Sequence, residues 1–453
     1  MTNAPNTRQG PRFYYGWIIV GVFALCHFTQ SAEIYPVLSV LLKPMTAEFG
    51  WSRTTFTAAT SIGTLVGGLA GPIVGPTVDR WGAKWILMVS FAILGILMIL
   101  QGGIQEAWHF YVIQILSRMI SQGIISLALQ IMIPNWFVKR RARAIAIGSL
   151  GGRLGNSITP IYVQALISGY TWRVATVTTG MVMLAITLLP IALFVKRRPE
   201  DIGLLPDGDK PVEETSPEVV REGTGDGPLD TEQAQAQAST VIGDVSYQLR
   251  EVLKMSSFYM LLGATVTSTL VGPAMNLHMI PYFTDRGISP EVAVLVTTTL
   301  FLTSAVGSLI GAFFAERFGI KNVMVADGIL MGLWLVFLLP VHSPVMAFTW
   351  AATQGILQGA SMVVRQVLFA DYYGRSSLGT IRGMINPLQL ASNAAGPTVA
   401  AIVFDRTGSY TTIFLFFGFM RIISGLMVFW AKPPPGSAAA RGRTHFVRST
   451  LGS

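Results

Sequence analysis

The stretch Gly75-Pro-Thr-Val-Asp79-Arg80-Trp-Gly82-Ala-Lys84 has a counterpart late in the chain, Ala312-Phe-Phe-Ala-Glu316-Arg317-Phe-Gly319-Ile-Lys321. An acid, an arginine, an aromatic ring, a glycine, any residue and a lysine recur at an offset of 237 residues (316 minus 79). A second string keeps nearly the same offset. Trp136-Phe137-Val-Lys139-Arg140-Arg141 is echoed by Tyr372-Tyr373-Gly-Arg375, 236 residues on (372 minus 136). One such match arises easily by chance; two at almost one offset do not. The chain reads as a duplicated unit.

Long apolar runs surround both motifs. A hydrocarbon core of about 30 Å needs roughly 20 apolar helical residues to cross it. Twelve runs meet that need: 16–42, 54–78, 85–103, 108–134, 143–168, 172–195, 257–283, 290–314, 322–340, 344–369, 379–404 and 411–431. Hydrophobic residues make up 51% of the 453 and charged residues only 12%, too few for a soluble domain of this size. The expected fold is an all-α integral membrane protein, with twelve transmembrane helices in two pseudo-symmetric six-helix bundles. The bundles are residues 1–195 and 257–431. A cytoplasmic linker (196–256) joins them, and 432–453 form a tail.

The net charge of +9 does not mark a nucleic-acid surface, because the basic residues fall between spans on alternate sides. Arg80, Lys84, Lys139 to Arg141, Lys196 to Arg198, Arg317, Lys321, Arg375, Arg382 and Lys432 gather on one side. Lys43, Arg53, Arg173, Arg286 and Arg406 are left for the other. Positive charge stays inside, so both termini are expected in the cytoplasm; separately, the expected location is a bacterial-type plasma membrane. Arg8 and Arg12 ahead of the first run imitate a secretory signal. The run continues past signal length without a clear small-residue cleavage site, so it reads as a retained helix.

Glu213–Thr240, EETSPEVVREGTGDGPLDTEQAQAQAST, is too polar to bury surface and reads as a flexible linker. Tyr247–Phe258, YQLREVLKMSSF, alternates apolar and basic positions and suggests a short amphipathic helix, either on the membrane surface or solvated. Cys26 is the only cysteine, so no internal disulfide or cysteine metal site can form. The five histidines show no metal spacing, and no phosphate loop ending Gly-Lys-Ser/Thr is present. The expectation is no cofactor, no metal, no ATP drive and no enzyme chemistry.

Charges inside spans cost about 2.5–3.5 kcal/mol each at the bilayer centre, so they point to function. Six stand out: Glu33, Arg118, Arg153, Asp327, Arg365 and Arg421. Arg118 lies ten residues into its span from Trp108, roughly 15 Å at 1.5 Å per residue. Gln114, Arg118 and Gln122 follow one another at steps of four and share a helix face. Arg153 is equally deep, on the glycine-rich run Gly151-Gly152-Arg153-Leu-Gly155-Asn156. Each arginine is either an anion contact or a structural residue held by a carbonyl or carboxylate. Gln354, Gln358, Ser361 and Arg365 run along span ten, and Asn386, Gln389 and Asn393 along span eleven. Arg365 is near the cytoplasmic end and reads as a gate or structural residue, as Arg421 and Asp327 read as structural. In span one, burial among apolar residues disfavours a charged carboxylate, which makes Glu33 a candidate proton carrier. A neighbouring arginine would instead make it a fixed ion-pair partner. His27 is a second coupling candidate, against the blander reading of a hydrogen-bonded structural histidine.

Twelve spans in two sixes, an acidic central loop and Gly75-X-X-X-Asp79-Arg80-X-Gly82 resemble the major facilitator superfamily over nearly the whole chain. Asn135-Trp136-Phe137, Trp172-Arg173 and Arg197-Arg198-Pro199-Glu200-Asp201 further resemble bacterial relatives of monocarboxylate transporters and oxalate/formate-type antiporters. The resemblance implies a monomeric secondary transporter working by alternating access. It would carry a small organic anion, a monocarboxylate, with protons as the coupling ion. Arg118 is similar to the cavity-facing arginine in span four of many members, although Gly123 follows it by five residues where the usual spacing is four. Gly75, Asp79, Arg80, Gly82 and Lys84, with Glu316 and Arg317 in the second half, are then a gating or structural latch. Two other readings stay open: an exporter of amphipathic drugs, marked by a large aromatic cavity of weak charge, and a transporter-like sensor, which would need a signalling domain.

Overall fold

The structure, a computed structural model, describes residues 14–69, 82–133, 135–137, 141–196, 199–205, 247–373, 378–435 and 437. Gly75, Asp79 and Arg80 and most of the linker lie outside the described residues. Helices account for the twelve membrane units. The first is α1 (Gly16–Gln30), a 3₁₀ turn (Ser31–Glu33) and α2 (Tyr35–Phe49). Next come α3 (Arg53–Leu69) and α4 (Ala83–Gln101). The fourth unit is α5 (Ala107–Arg118), a π turn (Met119–Ile125) and α6 (Ser126–Met132). The first half ends with α7 (Arg141–Gly169) and α8 (Trp172–Phe194).

The one-turn helix α9 (Leu249–Val252) leads into the second half. Its Val252 is fully buried among C-terminal core residues, and the Tyr247 N–H donates to the Tyr373 carbonyl at 3.0 Å, so this segment docks on the second bundle. Six long helices follow: α10 (Ser256–Asp285), α11 (Pro290–Phe318), α12 (Ile320–Val336), α13 (Pro344–Tyr373), α14 (Leu378–Thr407) and α15 (Thr411–Trp430).

Seven of the twelve units are apolar enough to cross a membrane by composition and length alone. The other five are α3, α7, α12, α13 and α14. Three of them, α3, α7 and α14, pack against the opposite half, and there polar side chains find partners instead of lipid. Ser61 Oγ meets Thr398 Oγ1 at 2.8 Å, and Thr298 Oγ1 donates to the Ser157 carbonyl at 2.9 Å. Without water, such groups must be satisfied within the protein.

The repeated motif folds the same way twice. Gly82 and Gly319, each preceding its helix, both take positive φ (80° and 83°), a region where glycine avoids the Cβ clash. Two residues on, Lys84 Nζ donates to the Ala192 carbonyl and Lys321 Nζ to the Ala431 carbonyl, both at 2.6 Å. Each lysine ties the start of a half's third unit to the end of its sixth. A cation at a helix C-terminus offsets the partial charge of the free carbonyls. Glu316 and Arg317 are exposed.

Candidate functional site

A cavity of about 280 Å³ opens among α10, α11, α12, α13, α14 and α15, and its wall includes Arg365, Arg421, Gln354, Gln358, Asn276 and Asn393. Met275, Met279, Met331 and Leu300 supply apolar surface. Among the described residues Tyr35 is the one from the first half in this wall, with its hydroxyl donating to Asn393 Oδ1 at 2.9 Å.

Electrostatics separate the two cavity arginines. Arg421 is 3% exposed and its Nη2 bonds Asp327 Oδ2 at 2.9 Å; Nη1 donates to Ser268 Oγ. Its charge is matched. Arg365 bonds only through Nε, to the Ser361 carbonyl at 3.3 Å. Its terminal nitrogens have no partner among the described residues. The packing of α12 on α15 is what joins Asp327 to Arg421, two residues that sequence separates by 94 positions.

Arg118 lies behind the wall. It is 1% exposed, donates through Nη1 to the Glu33 carbonyl at 2.6 Å, and sets its guanidinium 4.5 Å from the centre of the Tyr35 ring. No carboxylate pairs with it among the described residues. Glu33 is also 1% exposed, with Oε2 unpartnered. Gln114 is fully buried beside them, its amide next to the Glu33 carboxyl. Gln122 is half-buried within the π turn, which accounts for the wide spacing of Arg118 and Gly123: a π turn bonds i to i+5 and takes up one extra residue. Helix α3 lies directly on this turn. A Cβ on Gly63 would sit 2.7 Å from Arg118 Cβ, and one on Gly67 3.2 Å from the Arg118 carbonyl oxygen.

The remaining candidates scatter. Arg153 reaches across the halves from α7 to Ser308 Oγ on α11 at 3.4 Å. Asn156 is half-buried on the same helix with Oδ1 unpartnered. His27 stacks edge-on against Phe23, ring centres 4.5 Å apart. Gln389 is half-buried and Asn386 exposed, and neither is among the cavity-wall residues. Tyr35 was missed by sequence reasoning. Its one visible signal was the neighbouring Pro36, which must interrupt a helix crossing it.

The face away from the termini is closed. Asp285 accepts from Lys43 at 2.7 Å and Arg53 at 2.8 Å; Asp405 accepts from the Thr54 N–H at 2.8 Å; and Arg53 also donates to Tyr410 and covers Phe404 at 3.7 Å. Ser168 donates to Glu291 at 2.6 Å. Every one of these contacts crosses between halves. Among the described residues no hydrogen bond or ion pair joins the halves on the terminal side of Arg153 and Ser308.

A family model described as the Major Facilitator Superfamily matches residues 20–271 and again 255–451. Monocarboxylate transporter 12 of Rattus norvegicus is 24% identical over 307 residues, covering 66% of this chain and 62% of that protein. The hexuronate transporter of Bacillus subtilis (strain 168) is 22% identical over 387 residues, 80% and 82% of the two chains. This chain thus spans about three fifths of the monocarboxylate transporter it matches. Among solved structures, a bacterial homolog of the human lysosomal transporter Spinster, inward-facing and occupied, superposes with a TM-score of 0.69 at 15% identity, over 93% of this chain and 97% of that one. That likeness establishes the fold.

Proposed function

Since the chain belongs to the Major Facilitator Superfamily, we propose that it is a secondary active transporter whose cargo is a small organic anion carrying one carboxylate. The observation that carries this reading is the free guanidinium fork of Arg365 in the cavity wall. A guanidinium offers two parallel N–H donors that match a carboxylate, and such charged pairs are about twice as strong as neutral hydrogen bonds. Arg421 is already balanced by Asp327, so the cavity holds one unmatched positive charge. One carboxylate completes it; a second would stay unpaired at a high desolvation cost. Asparagine and glutamine amides can hydrogen-bond the rest of the cargo, and the methionines adapt to its carbon frame. Two of the relatives are named for carboxylates.

The contact pattern supports alternating access. With the terminal face cytoplasmic, the Arg53 cluster shuts the outer side, and its release would let the two bundles rock about Arg153, Asn156 and Ser308. The motif at 75–84 and its echo at Glu316 and Arg317 would work the inner side in antiphase. Glu33 is the proposed proton carrier: a buried carboxyl oxygen with no donor is accounted for if the group binds a proton during the cycle. His27, packed on an aromatic ring, is the lesser candidate. The transporter would work as a monomer in the plasma membrane.

The test is uptake by proteoliposomes of labelled lactate, pyruvate and glucuronate, with and without an imposed pH gradient. Saturable uptake that rises with an inward proton gradient is expected. Flux equal to that of protein-free vesicles for all three would overturn the proposal.

A further inference from the structure

The first and fourth membrane units each carry a defect, and the two defects lie against each other. In the first, Pro36 lacks an N–H, and within a continuous helix its ring would collide with the carbonyl four residues back. The chain makes the 3₁₀ turn Ser31–Glu33 and an extended Ile34 (φ −99°, ψ 162°) before α2 begins. Val37 then donates to Ile34, so the Glu33 carbonyl has lost its helical donor. Arg118 supplies one.

In the fourth unit the π turn widens the backbone at Ser121. Its carbonyl accepts the Ser126 N–H five residues on and still takes a further donor from outside, Gln30 Nε2 at 2.6 Å. The same amide donates to Ser126 Oγ at 2.9 Å, so Gln30 bridges Ser121 and Ser126, the two residues joined by that backbone bond. Each helix therefore completes the other's irregular backbone: α1 sends Gln30 into the π turn, and α5 sends Arg118 into the break. Gln30 is 3% exposed, so water cannot replace either bond.

We propose that Gln30 is a positioning residue for the substrate cavity. It clamps the π turn, the turn sets the rotation of Arg118, and Arg118 fixes the break and holds Tyr35 in the cavity wall against Asn393. A π turn that relaxed to α-helix would rotate Arg118 by about 100°, one residue's worth, relative to α6. Tyr35 would then lose its support from behind. This proposal rests on the reading of the cavity as the substrate site.

Two variants isolate the donor from the volume it occupies. Gln30→Met fills similar space without a donor, and Gln30→Glu keeps the outline but offers an acceptor. The first arm is hydrogen exchange on purified protein, which needs no substrate. Both variants are expected to speed exchange in 119–125 while leaving α11 unchanged, and unaltered exchange at 119–125 would overturn the clamp. The second arm is uptake of lactate, pyruvate and glucuronate, normalised to folded protein. Both variants are expected to raise KM about five- to twentyfold with little change in maximal rate, the loss expected when the buried Gln30 bonds to Ser121 and Ser126 are removed. In a Tyr35→Leu background, Gln30→Met should add nothing further. An unchanged KM in Gln30→Met, or full additivity with Tyr35→Leu, would reduce Gln30 to a packing residue and overturn the proposal. Wild-type protein that moves none of the three probes would fail the carboxylate reading, while the exchange arm still decides the clamp.

Discussion

The two halves use one architectural device in common and bury their arginines in opposite ways. Gly82 with Lys84 and Gly319 with Lys321 take the same backbone angles and reach equivalent carbonyls. The deep charges diverge. In the first half Arg118 donates through Nη1 to a main-chain carbonyl, keeps Nε unpartnered among the described residues, and lies against an aromatic ring. In the second, Arg421 is neutralised by Asp327 and Arg365 keeps its fork free. Depth in the membrane therefore does not separate the proposed anion site from Arg118; the company of each guanidinium is what differs.

The sharpest break in this comparison comes from unpairing the buried ion pair. Asp327→Asn leaves the Arg421 charge without a counter-charge, and removing one partner of a buried pair costs about 3–5 kcal/mol. Thermal unfolding in detergent should fall steeply, and Asp327→Asn combined with Arg421→Gln should recover part of the loss. A single variant as stable as wild type would mean that the pair is solvated and the charge count of the cavity is wrong.

Arg365→Gln is next. It should weaken carboxylate binding by about 1.5–3 kcal/mol, roughly 10- to 150-fold, with Arg365→Lys intermediate because the charge survives without the fork. Arg118→Gln should cost more in folded yield than in affinity. Equal affinity losses at both positions would erase the distinction between the halves.

How much of this was legible in the sequence depends on whether the signal was local. The spans and the duplication are local, since length, apolar runs and a repeated string suffice. The site was only partly so. Arg365 sits late in its span and reads as a gate, yet the cavity reaches it because α13 packs among five other helices that no periodicity specifies. Asp327 and Arg421 each look solitary until α12 meets α15. The π turn did leave a trace, the five-residue step from Arg118 to Gly123, and Pro36 marked the break. Neither trace said that the two irregularities would complete one another.

A smaller effect is expected at the closed face. Arg53→Gln removes donors to Asp285 and Tyr410, and charged hydrogen bonds of this partly exposed kind contribute about 1 kcal/mol. Cysteines introduced at cavity positions should then become several-fold more reactive to an impermeant thiol reagent added from that face. Unchanged labelling would show that the Arg53 cluster does not hold the halves together. The smallest effects belong to the shared device: Gly82→Ala and Gly319→Ala should each lower stability by roughly 1 kcal/mol through strain at positive φ. Their similarity, measured by thermal unfolding, would sharpen the repeat; a large effect at only one would break it.

The central claim is that the cargo's carboxylate lies on Arg365, and it can be tested by locating a bound probe. A bromine-labelled monocarboxylate that competes with uptake, placed by anomalous scattering in crystals of the complex, should put its bromine in the cavity, with carboxylate density on the terminal nitrogens of Arg365. Bromine against Arg118 or Arg153, with the Arg365 cavity empty, would contradict the account.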